Sequence, residues 1–308
     1  MAGKVFLVIP LLFLAACDFE DFDGQRYKED FHHSYDLKPG GRLEMENFNG
    51  SIELTGWDRD TVDISGTKYA SRKEYLDAMK IEIAAMPDSV RIRSVRPTAS
   101  GWRSNMGVKY VISVPRRTML DRIVSSNGSI RVEQIESKVR LKTSNGSVRA
   151  ARCQGDIEVI TSNGSVELAD FKGGATVHTS NGSIKADGLR GFFDATTSNG
   201  SVDARVIEAT AGRPVKVESS NGRVSLAFET PQIPDISAST SNSSITLKLP
   251  EGVNARLKAS TSNSSITTDF EVAASGTISK SRLEGSIGSG GPVVDLRSSN
   301  GSIRIAKN

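Results

Sequence analysis

Short runs of alternating apolar and polar residues repeat along most of this 308-residue chain. Each run follows a Ser-Asn-Gly-Ser turn, first complete at Ser126–Ser129 and next at Ser144–Ser147. From Asn127 to Asn199 the turn asparagine recurs every 18 residues. The next three intervals are 22, 21 and 21 residues, and a last copy is at Asn300. Because alternation with a period of two places apolar side chains on one face of a strand, each repeat predicts two short strands and two turns.

The regular period favours a solenoid over separate hairpins. Asn-Gly between alternating strands is also a strong hairpin signal, so an antiparallel sandwich or meander is the alternative. However, in every copy the first apolar residue follows the turn at the same distance. When copies stack, apolar positions therefore lie on apolar positions and turns lie on turns. A single unit buries too little apolar surface to be stable alone. We therefore expect residues 121–308 to form an all-β fold, a parallel β-solenoid with two short strands in each 18–22-residue rung.

The segment before the repeat is expected to form a separate structure. Residues 34–120 alternate like strands, and one apolar stripe at Tyr75, Leu76 and Met79 predicts a short helix. We expect a β-rich capping module with one helix at the N-terminal end of the solenoid. It contains a divergent copy of the repeat at Asn47–Ile52, and a degenerate copy, Glu284–Ile287, lies in the gap before Asn300.

The N-terminus has the pattern of an exported lipoprotein. Residues 1–16 carry Lys4 followed by an apolar run that is too short to span a membrane, and no other apolar run is long enough. Leu14–Cys17 (Leu-Ala-Ala-Cys) resembles the lipobox of bacterial lipoproteins, which implies cleavage before Cys17 and its lipidation. The alternative is an ordinary signal peptide in which Cys17 is incidental.

The expected mature chain begins with an acidic tether, residues 17–33, that holds the fold clear of the membrane. The resemblance predicts a lipid anchor in the bacterial cell envelope, facing the periplasm or the exterior. It leaves open which membrane carries the anchor. Cys153, the other cysteine, is expected to be a small buried filler, with a reactive nucleophile as the alternative.

The most repeated polar feature is the column of turn asparagines. Asparagine tolerates left-handed backbone angles, and stacked amides can form ladders. We therefore interpret the column as a structural turn ladder, although Asn-Gly-Ser also matches the glycosylation sequon. Asn242 and Asn263 are followed by Ser instead of Gly, so those two turns should differ. The column consists of Asn127, Asn145, Asn163, Asn181, Asn199, Asn221, Asn242, Asn263 and Asn300.

The overall charge is nearly balanced, at +3 from 39 basic and 36 acidic residues, which gives no indication of nucleic-acid binding. Locally, residues 89–122 hold eight Arg or Lys and one acid. A basic patch with an aromatic residue could hold an anionic envelope polymer or lipid headgroups. The alternative is an ordinary solvated strand face. The candidate patch residues are Arg91, Arg93, Arg96, Trp102 and Arg103.

Signals of catalysis are weak. The sequence has only three histidines and no nucleophile elbow, phosphate loop or metal-ligand spacing. We therefore predict no catalytic residues, no metal and no cofactor. Because parallel β-helices include polysaccharide lyases and hydrolases, a polysaccharide-active periplasmic enzyme is the alternative function.

These motifs together resemble a known family. A lipobox, a Gly40-Gly41 turn, a short helix, the strand end Ile112–Pro115 and serial Ser-Asn-Gly-Ser units are similar to the adhesin-like β-strand-repeat domain of unknown function in bacterial envelope proteins. The resemblance covers about residues 34–308. It implies the fold, and no catalytic residues are carried over from the family. From the lipobox, the solenoid register and the weak catalytic signals, we expect a non-catalytic envelope protein that serves as an adhesin-like binder or as a structural or signalling scaffold, with an envelope protein or anionic polymer as partner.

Overall fold

A computed structural model describes residues 27–97 and 105–308, and these are almost entirely β-structure. The first part of the described chain contains β1 (Tyr27–Asp36), β2 (Arg42–Asn47), β3 (Ile52–Trp57), β4 (Thr61–Ala70), α1 (Lys73–Ala78), β5 (Lys80–Met86), β6 (Ser89–Val95) and β7 (Met106–Pro115).

The repeats follow as β8 (Met119–Ser125), β9 (Ile130–Glu133), β10 (Val139–Thr143), β11 (Val148–Ala151), β12 (Ile157–Ile160), β13 (Val166–Ala169), β14 (Ala175–His178), β15 (Ile184–Gly191), β16 (Phe193–Thr197), β17 (Val202–Ala209), β18 (Val215–Ser219), β19 (Val224–Phe228), β20 (Ile236–Thr240) and β21 (Ile245–Leu249). The last part contains β22 (Ala255–Thr261), β23 (Ile266–Thr268), β24 (Ala273–Ser279), β25 (Arg282–Ile287), β26 (Val293–Ser298) and β27 (Ile303–Lys307).

The strands form two long sheets on either side of one continuous apolar core. Sheet A has the order β1-β4-β7-β3-β9-β11-β13-β15-β17-β19-β21-β27-β23, and sheet B has the order β24-β25-β22-β26-β20-β18-β16-β14-β12-β10-β8-β2-β6-β5. Successive strands of the repeat are parallel and in register, so Val166 lies between Val148 and Ile184. This confirms the predicted parallel β-solenoid with two strands in each rung.

Each rung is narrow because its inward side chains are few and small. Val148 and Ala150 from sheet A and Ile157 and Val159 from sheet B are all at most 2% exposed. Eleven strands of sheet A, from β7 to β23, stack in parallel, and neighbouring strands lie ~4.8 Å apart, which makes a rod of roughly 50 Å.

The boundary between module and solenoid differs from the expected one at residue 120. Strands β2 and β3 form an ordinary rung, because β2 pairs in parallel with β8, and β3 with β9. The divergent copy at Asn47–Ile52 is the corner of this rung. Beyond it lies a further rung, β6 and β7, which is closed by the antiparallel strands β5, β4 and β1.

The expected tether, residues 17–33, also ends earlier than predicted. Strand β1 begins at Tyr27 and pairs with β4 along all ten of its residues. Strand β1 is held by an apolar contact that the acidic composition of residues 17–33 did not indicate. Phe31 covers Gly66, and its ring packs edge-on against Tyr110 at 5.7 Å. Cys17 and the rest of residues 1–26 lie outside the described residues.

The degenerate copy Glu284–Ile287 is not a rung. Glu284 replaces the turn asparagine, and these residues lie inside β25, which pairs antiparallel with β22 and β24. The rung that carries Asn300, formed by β26 and β27, lies between the rungs of Asn242 and Asn263. The order of rungs in space therefore differs from their order along the chain.

In the part of the chain that the structure describes, no helix has the length and apolar character needed to cross a membrane.

Candidate binding face and the corners that support it

The nine turn asparagines form one continuous ladder along the solenoid. Eight of the nine amide nitrogens donate to the amide oxygen of the preceding rung, as from Asn145 Nδ2 to Asn127 Oδ1 at 2.7 Å. The ladder continues through Asn163, Asn181, Asn199, Asn221, Asn242, Asn300 and Asn263, with N–O distances of 2.6–2.8 Å. The asparagines therefore bind one another, and their role in the described structure is to join the rungs.

A second ladder, of buried hydroxyls, was not recognised from the sequence. In the rung of Thr179, the hydroxyl donates to Gly164 O of the preceding rung at 3.1 Å and accepts from Gly182 N–H of its own rung at 3.2 Å. The signal was present in the sequence, because every copy has Thr or Ser three residues before the Gly or Ser that follows the asparagine. The column is Ser125, Thr143, Thr161, Thr179, Thr197, Ser219, Thr240, Thr261 and Ser298, all at most 7% exposed.

The turn glycines are required by close approach between rungs. A Cβ placed on Gly146 would lie 1.9 Å from Gly128 O, and one on Gly164 would lie 1.7 Å from Gly146 O. Such distances are far inside van der Waals contact. At the Asn-Gly corners a side chain on the glycine would therefore clash with the main chain of the preceding rung.

On the outward side of sheet A, side chains from neighbouring strands line a long groove. Two cavities, of about 580 and 250 Å³, meet at Glu53 on β3. They extend over seven adjacent strands, from His32 on β1 to Glu167 on β13. We name this surface the sheet A groove and define it by Ser51, Glu53, Lys109, Arg131, Ser147 and Arg149.

The groove is polar and offers both signs of charge. Arg131 and Arg149 lie opposite each other on β9 and β11, with Glu53 on the far side of Arg131. Arg149 Nη1 lies 3.5 Å from Glu167 Oε2, whereas within residues 27–97 and 105–308 Arg131 forms no ion pair. Val111, 56% exposed, adds an apolar contact. Hydroxyls, guanidinium groups and carboxylates in line can bind an elongated polar ligand.

The predicted basic patch is neutralised where the structure describes it. Arg91 lies 2.9 Å from Glu44, and Arg93 lies 3.7 Å from Glu46. Glu46 also contacts Arg122, at 2.6 Å. The acids come from β2, which lies between β6 and β8 in sheet B, so parallel pairing places acids beside bases. Arg96 also has an interaction partner. Trp102 and Arg103 lie outside the described residues.

Cys153 is buried at the second corner of its rung, 2% exposed. Burial raises the pKa of the Cys153 thiol. A buried thiol with a raised pKa is a poor nucleophile. Among the described residues, no group of three or more His, Cys, Asp or Glu side chains is arranged to hold a metal ion.

The geometry thus defines a class, the parallel β-solenoid with a polar groove along one sheet. The Toastrack family DUF4097 matches residues 43–306, so the chain belongs to that family. This confirms the resemblance to an adhesin-like β-repeat domain of unknown function. No curated protein matches the chain.

Solved structures of low sequence identity are also similar over nearly the whole chain. A candidate cell adhesion protein from Clostridium sporogenes is 13% identical, with a TM-score of 0.24, and the match covers 91% of this chain and 100% of that one. A candidate adhesin from Parabacteroides distasonis is 7% identical, with a TM-score of 0.34 and coverage of 91% and 97%. A candidate lipid-binding protein from the same species is 10% identical, with a TM-score of 0.29 and coverage of 91% and 96%.

Proposed function

We propose that the protein is a lipid-anchored, non-catalytic component of the bacterial cell envelope that binds an elongated envelope partner, protein or polymer, along one face of its solenoid. The observation that carries the binding role is the sheet A groove, which crosses seven adjacent strands from β1 to β13 and presents polar groups along them. The amide and hydroxyl ladders support this role, because they hold the rungs, and hence the groove, in a fixed spacing.

The anchor rests on the lipobox at Leu14–Cys17. Several acyl chains hold a protein on a membrane, whereas one chain gives only marginal binding. We expect a clickable palmitate analogue to label the chain in cells and the label to disappear in Cys17→Ala. Cys153→Ala is the matched control and should keep the label. Equal labelling of Cys17→Ala and the parent would contradict the anchor.

The binding role is tested by photo-crosslinking in the native envelope. A photoreactive amino acid replaces Ser147 in the sheet A groove in one variant and Ser237, exposed on sheet B, in the control. We expect a discrete adduct from position 147, and we expect Arg131→Ala to weaken it. Adducts of equal yield from both positions, or none from position 147, would refute the groove as the binding face.

The non-catalytic part of the proposal has its own test. The carboxylates of the groove region include Glu53 and Glu167, and Glu167 is engaged by Arg149. We expect no new reducing ends or unsaturated sugars when the purified protein is incubated with envelope polysaccharides. Product formation that Glu53→Gln abolishes would instead establish a polysaccharide-active enzyme.

A further inference from the structure

The rung formed by β26 and β27 lies in a slot made by earlier parts of the chain. Strand β26 pairs with β20 on one side and β22 on the other. Strand β27 likewise pairs with β21 and β23, so that Ile303 lies between Ile245 and Ile266. All four neighbouring strands precede this rung in sequence, and it is therefore the last of them to be synthesised.

This inserted rung joins the end of the solenoid to the rest. Ile245 N–H donates to Ser302 O at 2.9 Å on one side, and Ile303 N–H donates to Ser265 O at 3.0 Å on the other. Asn300 donates to Asn242 at 2.8 Å and accepts from Asn263 at 2.7 Å. Its core side chains are fully buried: Val294, Leu296, Ile303 and Ile305. Without this rung, two pairs of strands would expose unpaired edges and an apolar slot.

The connection that delivers the rung is built as a hinge. Residues 288–292 read Gly-Ser-Gly-Gly-Pro, and Gly288, Gly290 and Gly291 have φ values of 59, 78 and 148°. Glycine adopts these angles and many others at little cost, so the segment can redirect the chain. Domain swapping occurs at such hinges, because the exchanged element makes the same contacts in another copy as in its own.

The second intercalated rung of the molecule provides a contrast. Strands β2 and β3 also lie between two rungs, β6 with β7 and β8 with β9. Their neighbours follow them in sequence, so these neighbours can add to a rung that is already in place. In the described chain the rung of β6 and β7 also lies between earlier strands, but β5 and β4 on its outer side are antiparallel to it. The slot for β26 and β27 differs because parallel strands that precede it form both of its sides.

We infer that residues 293–307 form an exchangeable rung, which enters either its own slot or the slot of a second copy of this chain and so links two solenoids into a swapped dimer. The second copy is the occupant that fits, because it supplies the same apolar spacing at Ile303 and Ile305 and the same Asn300 amide that complete the ladder. The monomer and the dimer then share the same contacts, and protein concentration during folding decides between them.

The test uses two full-length populations in a Cys17→Ala background, one with Thr246→Cys and the other with Arg304→Cys. These positions face each other on β21 and β27. Neighbouring strands are ~4.8 Å apart, within the Cα separation that a disulfide allows. The two populations are unfolded, mixed, refolded over a range of concentrations and oxidised. We expect a mixed disulfide dimer on non-reducing gels that rises with concentration.

Two controls make the result decisive. Thr246→Cys mixed with Lys185→Cys, on the same outward side of sheet A but three strands away, should give no mixed dimer. The double variant Thr246→Cys/Arg304→Cys should close within one chain when dilute. Light scattering of the parent chain after refolding gives a second readout. Monomer at every concentration, with no more cross-linking than in the Lys185→Cys mixture, would overturn the inference.

Discussion

Tyr110 is the largest polar side chain that is completely buried in the end of the solenoid. Its hydroxyl lies 2.7 Å from Ser94 Oγ, and Phe31 covers its ring. Burial raises the pKa of Tyr110 to about 12, although the hydrogen bond with Ser94 lowers it in part. The neutral phenol is therefore the form that the fold requires.

A raised pKa in the folded state gives a stability that is present below the unfolded pKa, near 10, and is lost as the pH rises through 12. We expect the free energy of unfolding to fall by about 2–3 kcal/mol more in the parent than in Tyr110→Phe between these two pH values. Urea unfolding of both proteins across this range measures the difference. Parallel pH curves would show that Tyr110 does not contribute.

The corner of each rung meets three requirements within four residues, as in Thr179–Gly182. The asparagine amide joins rungs on the outside, the glycine allows the main chains to approach, and the Thr or Ser hydroxyl joins rungs on the inside. At Asn242 and Asn263 the glycine is replaced by Ser243 and Ser264. The hydrogen bond from the Gly N–H to the hydroxyl, seen in the Asn-Gly corners, is not formed at these two described positions. These turns differ, in agreement with the prediction from the sequence.

Thr179→Val tests the hydroxyl ladder, because Val has nearly the same shape but cannot form the two hydrogen bonds. Gly182 N–H and Gly164 O would lose their bonds to the hydroxyl in a buried setting, which costs about 1–3 kcal/mol of unfolding free energy. Thr176→Val, on the outward side of β14 and three residues before Thr179, is the matched control and should change stability by less than about 0.5 kcal/mol. Equal stability of the two variants in denaturant would contradict the role of the ladder.

Across the whole molecule, the exposed charges of sheet B are arranged as alternating pairs. Arg91, Glu44, Arg42, Asp121 and Arg140 form a chain of ion pairs across β6, β2, β8 and β10. Exposed pairs of this kind contribute little to stability. Their larger effect is on the surface potential, because each arginine lies beside a carboxylate that reduces its attraction for an anion.

Removing two of these carboxylates should restore the basic surface that the sequence of residues 89–122 indicated. We expect Glu44→Gln/Glu46→Gln to bind anionic lipid vesicles several-fold more than the parent in cosedimentation, and high salt to abolish the gain. Asp203→Asn/Glu208→Gln makes the same change in net charge on sheet A. If both double variants gain equally, net charge alone is responsible and the neutralised patch has no role.

Much of the fold could be derived from residues close together in the sequence. Alternation predicted the strands, and the Asn-Gly turns placed one corner of each rung, because strand faces and tight turns depend on a few consecutive residues. The hydroxyl column could have been found in the same way, since Thr143, Thr161 and Thr179 stand at a constant distance from the turn.

Features that depend on pairing between strands far apart in the sequence could be identified only from the tertiary structure. The acids that neutralise Arg91 and Arg93 are 47 residues away, at Glu44 and Glu46, and only the parallel register brings them together. The sheet A groove likewise joins β1 to β13. The position of the Asn300 rung between two earlier ones is the clearest case. Its Asn-Gly turn and its apolar spacing match those of most other rungs, so local chemistry fits it to many places in the stack, and only the whole set of strand pairings selects one.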